Sequence, residues 1–251
     1  MQKLKDFLIQ INMENVDSKA EILERYMDEV LLWNEKINLT AITDREEFIQ
    51  KHFIDSLLCA DSDEMKRAEY IIDVGTGGGF PGVPLAVCFP LKRFVLMDSL
   101  AKKLRVVDEI CEKLGIVNVE TLHGRAEDLG RHEEYREQFD LCVSRAVANM
   151  STLCEYCLPF VKKGGCFIAY KGPDCESELG DASDAISILG GKLVKTMKSS
   201  NDNASPDVTG GLPGIAPREL PFNHTLVYVD KVKNTGKKFP RQAGTPGKTP
   251  L

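Results

Sequence analysis

A short run of strand-forming residues, Tyr70-Ile-Ile-Asp-Val74, feeds directly into Gly75-Thr-Gly77-Gly78-Gly79-Phe80-Pro81-Gly82. No other feature of the chain constrains the fold as much. A strand that ends in glycines turns sharply, because glycine takes left-handed backbone without a Cβ penalty. In open parallel sheets such a turn lies at the carboxyl ends of the strands, where ligands bind. The flanking sequence fits that frame. Residues 93–98, 118–123, 139–144, 165–170, 192–197 and 224–230 read as six more short apolar strands. The clearest helix between them carries Leu100, Leu104, Val107, Ile110, Cys111 and Leu114 on one face, with Ser99 before it and Gly115 after. Strand–helix alternation predicts an α/β, Rossmann-like sheet of seven strands with helices on both faces. The last two strands have no helix between them and are expected to pair antiparallel.

Upstream, Ile22, Tyr26, Val30, Trp33 and Ile37 recur at helical spacing behind Ser18-Lys-Ala-Glu21, which fits a capping box. Asn38-Leu-Thr40 is expected to end that helix, and a second helical stretch follows over 46–59. The expected organisation is a helical section over 1–66, a ligand-binding α/β domain over 67–230 and a tail over 231–251. Of the 23 residues in 199–221, 15 are Ser, Thr, Asn, Asp, Gly or Pro, so this segment reads as a loop.

Composition narrows the class. A chain of 251 residues with 43% hydrophobic and 28% charged residues is ordinary for a soluble globule. No apolar run approaches the roughly 18 residues that a membrane span requires. Eight cysteines are too few for a disulfide scaffold, so they are expected to be reduced thiols in a cytoplasmic protein. Net charge is −6, but 231–251 holds Lys231, Lys233, Lys237, Lys238, Arg241 and Lys248 and no acid, which leaves −12 on the rest. A basic tail on an acidic body suits nucleic acid.

The glycine loop admits two ligand classes. Gly77, Gly79 and Gly82 match the dinucleotide pattern, and Asp73, Gly75, Gly77 and Gly79 match the first motif of S-adenosylmethionine-dependent methyltransferases. The strand ends at Val74, so the tight turn falls on Gly75–Gly77 and Gly82 comes late. Asp73 also suits a ligand bearing an ammonium group and repels a pyrophosphate. S-adenosyl-L-methionine is therefore the expected cofactor. Asp98, at the end of the second strand, is placed to accept from a ribose diol; a helix cap is the bland alternative. After the third strand, Glu127 is positioned for an exocyclic amine of adenine and the backbone of Ala126 for a ring nitrogen. Arg145 is a cation at the carboxyl end of the fourth strand.

Together with Asn38-Leu-Thr40, His52-x-x-Asp55-Ser56-Leu57, Tyr170-Lys-Gly172 and Phe239-Pro-Arg-x-Ala-Gly-Thr-Pro246, these residues resemble the bacterial small-subunit ribosomal RNA methyltransferases once called glucose-inhibited division protein B. The resemblance implies a class I methyltransferase sheet and methylation of guanine N7 in 16S ribosomal RNA. It also implies cofactor contacts from Gly75, Phe80, Ala126, Glu127 and Arg145. The expected partner is that RNA or the small ribosomal subunit, not a membrane, and the protein is expected to be a monomer. Guanine N7 has a free lone pair, so no general base is expected. Lys171, Lys237, Lys238 and Arg241 are the expected RNA contacts. A nicotinamide-dependent oxidoreductase and a non-catalytic ribosome-assembly factor are the competing readings. Cys154-Glu-Tyr-Cys157 reads as two core thiols, since zinc would need a second pair of ligands. His52, Asp55 and Ser56 crowd one or two helical turns, which suits a helix face near the substrate better than a triad.

Overall fold

The computed structural model describes residues 1–145, 148–172, 175–198 and 224–251. The expected loop at 199–221 lies outside them. Seven strands form one sheet: β1 (Tyr70–Val74), β2 (Arg93–Asp98), β3 (Val119–His123), β4 (Phe139–Arg145), β5 (Val161–Lys171), β6 (Gly191–Lys198) and β7 (Thr225–Lys231). Their spatial order is β3-β2-β1-β4-β5-β7-β6. The first five are parallel, and β7 runs antiparallel to both β5 and β6. The expected antiparallel final pair is thus present. Strand order reverses direction between β1 and β4, and at such a switch point the loops leave a crevice outside the carboxyl ends.

Side chains alternate across the sheet, as a period of two requires. Ile71, Leu96, Leu141, Val143 and Ile168 face one core, whereas Ile72, Val95, Met97, Cys142 and Phe167 face the other. The first core is closed by the N-terminal helices through Leu4, Leu8, Leu23, Tyr26, Met27 and Phe53. The second is closed by the helix Met150–Cys157, where Cys154 and Cys157 are both fully buried.

Two helix expectations are corrected. The long N-terminal helix starts at Val16, with Asn15 in left-handed backbone as its cap and no side-chain capping bond, so Ser18 lies inside it. Asparagine is among the few residues besides glycine that visit left-handed backbone, and the chain can therefore enter the helix one turn early. That helix also ends at Asn34, before Asn38-Leu-Thr40. The helical stretch expected over 46–59 is present and changes pitch along its length, through an α turn (Arg45–Phe48), a π-helix (Ile49–Ile54) and a 3₁₀ turn (Leu57–Cys59). A π segment widens the turn, a device often found at functional sites.

Beyond β7 the chain folds back onto the body. Phe239 is 5% exposed. Lys231 is fully buried, with its Nζ donating to Leu158 O and to Thr235 Oγ1 (2.6 Å) and facing Glu137 at 3.3 Å. Burial lowers its pKa to about 8.

Candidate cofactor site

The turn after β1 needs its glycines. Gly75, Gly77 and Gly79 have φ of 80°, 59° and 91°. A side chain at Gly79 would meet the Tyr26 hydroxyl at 2.3 Å, and one at Gly82 would meet Leu96 at 2.1 Å. Gly77 differs, because no atom lies within 4 Å of where its Cβ would stand. The backbone there is open to a close-approaching ligand. Tyr26 ties the N-terminal helix to the turn by donating to Gly78 O (2.9 Å).

Two carboxylates hold this loop from below. Asp73 is fully buried, and its Oδ2 accepts from Thr76 Oγ1 (2.7 Å) and Gly82 N (2.8 Å). Its Oδ1 has no partner. Burial raises the carboxyl pKa to about 7. Asp98 accepts from Gly77 N at Oδ2 (2.9 Å) and from Leu100 N at Oδ1 (2.8 Å). It therefore braces the glycine turn and the chain entering the helix Ala101–Leu114 at once. The cap residue of that helix is Leu100, with no side-chain capping bond, so the cap expected at Asp98 or Ser99 does not form. Each oxygen retains capacity for another donor.

One strand further out, Asp98 pairs with His123 in register, and Gly124 N donates to Asp98 O. The next turn begins the helix Ala126–Leu129. Glu127 is 4% exposed there, and its Oε1 accepts from Gly244 N (2.8 Å). No local pattern signals this contact across 117 residues.

On the other side of the switch point, Arg145 ends β4. Its Nη1 donates to Asp55 Oδ2 (2.7 Å) and Lys51 O (2.8 Å), and its Nη2 to His52 Nδ1 (3.0 Å). The guanidinium stands 5.6 Å from the Phe80 ring centre. His52 stacks on Phe80 at 4.3 Å and 10°, and its Nε2 is 2.6 Å from Thr40 Oγ1. Burial first, and the Arg145 charge second, lower the His52 pKa to about 3. Asp55 is fully buried and also pairs with His224 Nδ1. His52 and Asp55 are thus placed on the site cation, which the His-x-x-Asp spacing alone did not reveal. Ser56 bonds back to His52 O and takes no part.

Lys171 donates to Ala148 O (2.8 Å) and Glu178 Oε1 (2.7 Å). Arg241 grips fully buried Glu155 through Nε and Nη2, at 3.0 Å and 2.6 Å. Lys237 and Lys238 are exposed. Among the described residues, no group of His, Cys, Asp or Glu could hold a metal ion.

Sheet order, glycine turn and paired acids at the carboxyl edge define a class I S-adenosylmethionine-dependent methyltransferase. Solved structures agree in fold. An O-methyltransferase from Bacillus cereus in complex with SAH has a TM-score of 0.54 at 18% identity, covering 82% of this chain and 90% of that one. A SAM-dependent O-methyltransferase from Thermotoga maritima gives 0.52 at 14%, covering 82% and 72%. The profile of the family described as rRNA small subunit methyltransferase G matches residues 19–206. Proteins named ribosomal RNA small subunit methyltransferase G are 44% identical in Alkaliphilus metalliredigens, over 99% of this chain and 97% of the relative, and 46% identical in Clostridium perfringens strain 13, over 96% and 94%. The chain belongs to that family.

Proposed function

We propose that this enzyme methylates N7 of a guanine in 16S ribosomal RNA, with Asp73, Gly75, Gly77, Phe80, Asp98, Ala126, Glu127 and Arg145 forming the cofactor site. The observation that carries the reading is the open Gly77 turn braced by Asp98 on one side of the switch point, with Arg145 on Phe80 at the other. The residues fit S-adenosylmethionine. Gly77 leaves room beside the backbone, Asp73 Oδ1 lacks a partner for a donor such as an ammonium, and Asp98 keeps lone pairs for a diol. When bound, that molecule supplies an electron-poor methyl group on a sulfonium.

The chain's own task is to place the nucleophile. Guanine N7 has a lone pair that Watson–Crick pairing leaves unused, so no proton must leave before attack. His52, beside Arg145, offers no free base, since the lone pair of its Nδ1 is taken by the guanidinium. Holding reactants in line can contribute roughly 7–11 kcal/mol of the barrier. Arg145, part-buried beside an aromatic face, supplies a fixed positive charge toward the base or its phosphate. Phe80 is buried with His52 stacked on its ring, so its part is to hold Arg145 and His52 at the edge of the site.

RNA attraction falls to the exposed cations Lys233, Lys237, Lys238 and Lys248, because Lys231 and Arg241 are committed internally. Lys171 braces the loop after β4 and meets RNA only if Glu178 releases it. All eight cysteines are free and buried, which supports a reducing, cytoplasmic setting. No helix among the described residues is long and apolar enough to cross a membrane.

Mapping 7-methylguanine along 16S RNA from cells with and without the protein tests the reading. One guanine should lose its N7 methyl group when the protein is absent. Identical maps would overturn the proposal.

A further inference from the structure

The chain after β7 shows a density of internal bonds that an RNA-contacting arm does not need. Arg136 donates to Phe239 O (2.9 Å), Thr235 O (2.6 Å) and Gly130 O (2.8 Å). Arg131 Nε donates to Pro240 O (2.7 Å). Arg241 grips Glu155 with both its backbone N–H (2.6 Å) and its guanidinium. Thr152 Oγ1 donates to Pro246 O (2.9 Å). Apart from the Arg136–Gly130 bond, which holds the Arg136 side chain in place, these bonds anchor the segment to the helix Met150–Cys157 or to the stretch after the helix Ala126–Leu129. Between the anchors at Arg241 and Pro246, Gly244 adopts φ 83° and donates its N–H to Glu127 Oε1.

We propose that residues 235–246 form a strap whose Gly244 N–H positions the Glu127 carboxylate for the adenine of the cofactor. The inference rests on the proposed function, in which Glu127 accepts from the exocyclic amine. Glu127 is nearly buried, and a buried carboxylate without donors is costly. One donor on Oε1 satisfies part of that need and fixes the plane of the group. The plane in turn sets where the remaining lone pairs point. Arg241 and Gly244 are positioning residues on this account, acting through Glu127. The tail expected to be an RNA arm then has two faces: its buried side serves the cofactor, and its exposed lysines remain free for phosphate.

The test compares binding of S-adenosylhomocysteine with that of its deaminated analogue, S-inosylhomocysteine, by calorimetry. The analogue replaces the amine with a carbonyl, which a carboxylate repels, and turns ring N1 from an acceptor into a donor. The second change faces the same Ala126 backbone in every variant and cancels from the comparison between them. The full-length chain and its Arg241→Ala and Gly244→Ala variants are measured. The wild type should prefer the adenine form by about tenfold or more, the worth of one hydrogen bond to a charged group. In both variants that ratio should shrink by about fivefold, because a loosened carboxylate no longer discriminates between amine and carbonyl. General loosening of the fold would weaken both ligands alike and leave the ratio unchanged. If Arg241→Ala does not fold, Gly244→Ala decides alone. It keeps the Glu155 anchor and its added Cβ meets no atom within 4 Å, but φ 83° strains any L side chain, which displaces the N–H from Glu127 without a clash. An unchanged ratio in a folded variant would overturn the strap proposal. Failure of the wild type to bind S-adenosylhomocysteine would instead overturn the proposed function.

Discussion

Arg145 donates from Nη2 to His52 Nδ1 at 3.0 Å. A guanidinium can only donate, so Nδ1 is an acceptor and the ring proton lies on Nε2, toward Thr40. Protonating His52 would destroy that acceptor and set two cations side by side. Burial first, and this Arg145 contact second, make the folded protein resist protonation of His52 until about pH 3, against 6.5 ordinarily. Between those values the unfolded chain binds more protons, so stability rises with pH. His52→Asn keeps an acceptor near the Nδ1 position and cannot titrate. Its unfolding free energy should fall less steeply than wild type from pH 6.5 to 4, by about 1 kcal/mol per pH unit, below a full proton's 1.4 because the ring is partly exposed. Urea melts at four pH values measure the difference; parallel pH profiles would remove His52 from the Arg145 network.

Asp73 runs the opposite way. Its folded pKa near 7 lies above the ordinary 3.8, so the folded protein binds more protons and stability falls as pH rises between those values. Asp73→Asn should therefore gain on wild type as pH rises from 4 to 8, since an amide can still accept from Thr76 and Gly82. At pH 8, where the wild-type group is charged, its affinity for S-adenosylhomocysteine should drop about tenfold, because the carboxylate charge that draws the ammonium is gone; at pH 5, where the wild-type group is protonated, the two should bind alike. Denaturant melts and calorimetry at pH 5 and pH 8 separate the two effects. A variant that binds as tightly as wild type at pH 8 would confine Asp73 to bracing the loop.

Removing Arg145 does two things at once. It takes the cation from the site and leaves fully buried Asp55 in contact with His224 among the described residues. Breaking a buried pair on one side typically costs about 3–5 kcal/mol, so Arg145→Ala should lose about 3 kcal/mol and at least roughly a hundredfold in methyl transfer. Arg145→Ala with Asp55→Asn should recover much of the stability and none of the turnover. Thermal melts and transfer of labelled methyl to 30S particles check both. Recovery of turnover in the double variant would make Arg145 purely structural.

The sequence exposes the sheet because each of its cues is local. The period-two strands, the glycine turn and the αL cap at Gly115 (φ 70°) depend on residues a few positions apart. Asp73, Asp98 and Glu127 are legible as loop-end acids for the same reason. Their partners are not. Glu127 meets Gly244, Asp55 meets His224, and Arg145 meets His52, across 117, 169 and 93 residues, and no short-range pattern encodes such pairs. The tail misleads for a related reason. Counting Lys231 and Arg241 as available charge ignores Glu137 and Glu155, which only the fold brings beneath them.

That distinction separates the tail cations experimentally. Lys237 and Lys238 are exposed, and Lys238 lies over the Phe239 ring at 5.1 Å. Neither has a carboxylate within ion-pair distance among the described residues. Each phosphate that such a lysine neutralises releases counterions, so binding weakens with salt by about 0.7 per contact on single-stranded RNA and 0.9 on duplex. If both touch phosphate, Lys237→Ala with Lys238→Ala should flatten the salt slope of RNA binding by about 1.4–1.8 units. Thermal stability should hold, because exposed charges away from partners contribute little. Arg241→Ala should do the reverse. Glu155 is fully buried and loses its cation, so the melting temperature should fall by several degrees while the salt slope stays put. Filter binding of 16S RNA fragments at five salt concentrations, beside thermal melts of the same preparations, reads both quantities. A flattened slope in Arg241→Ala would return that residue to the RNA face. An unchanged slope in the double lysine variant would move the phosphate contacts off this part of the tail.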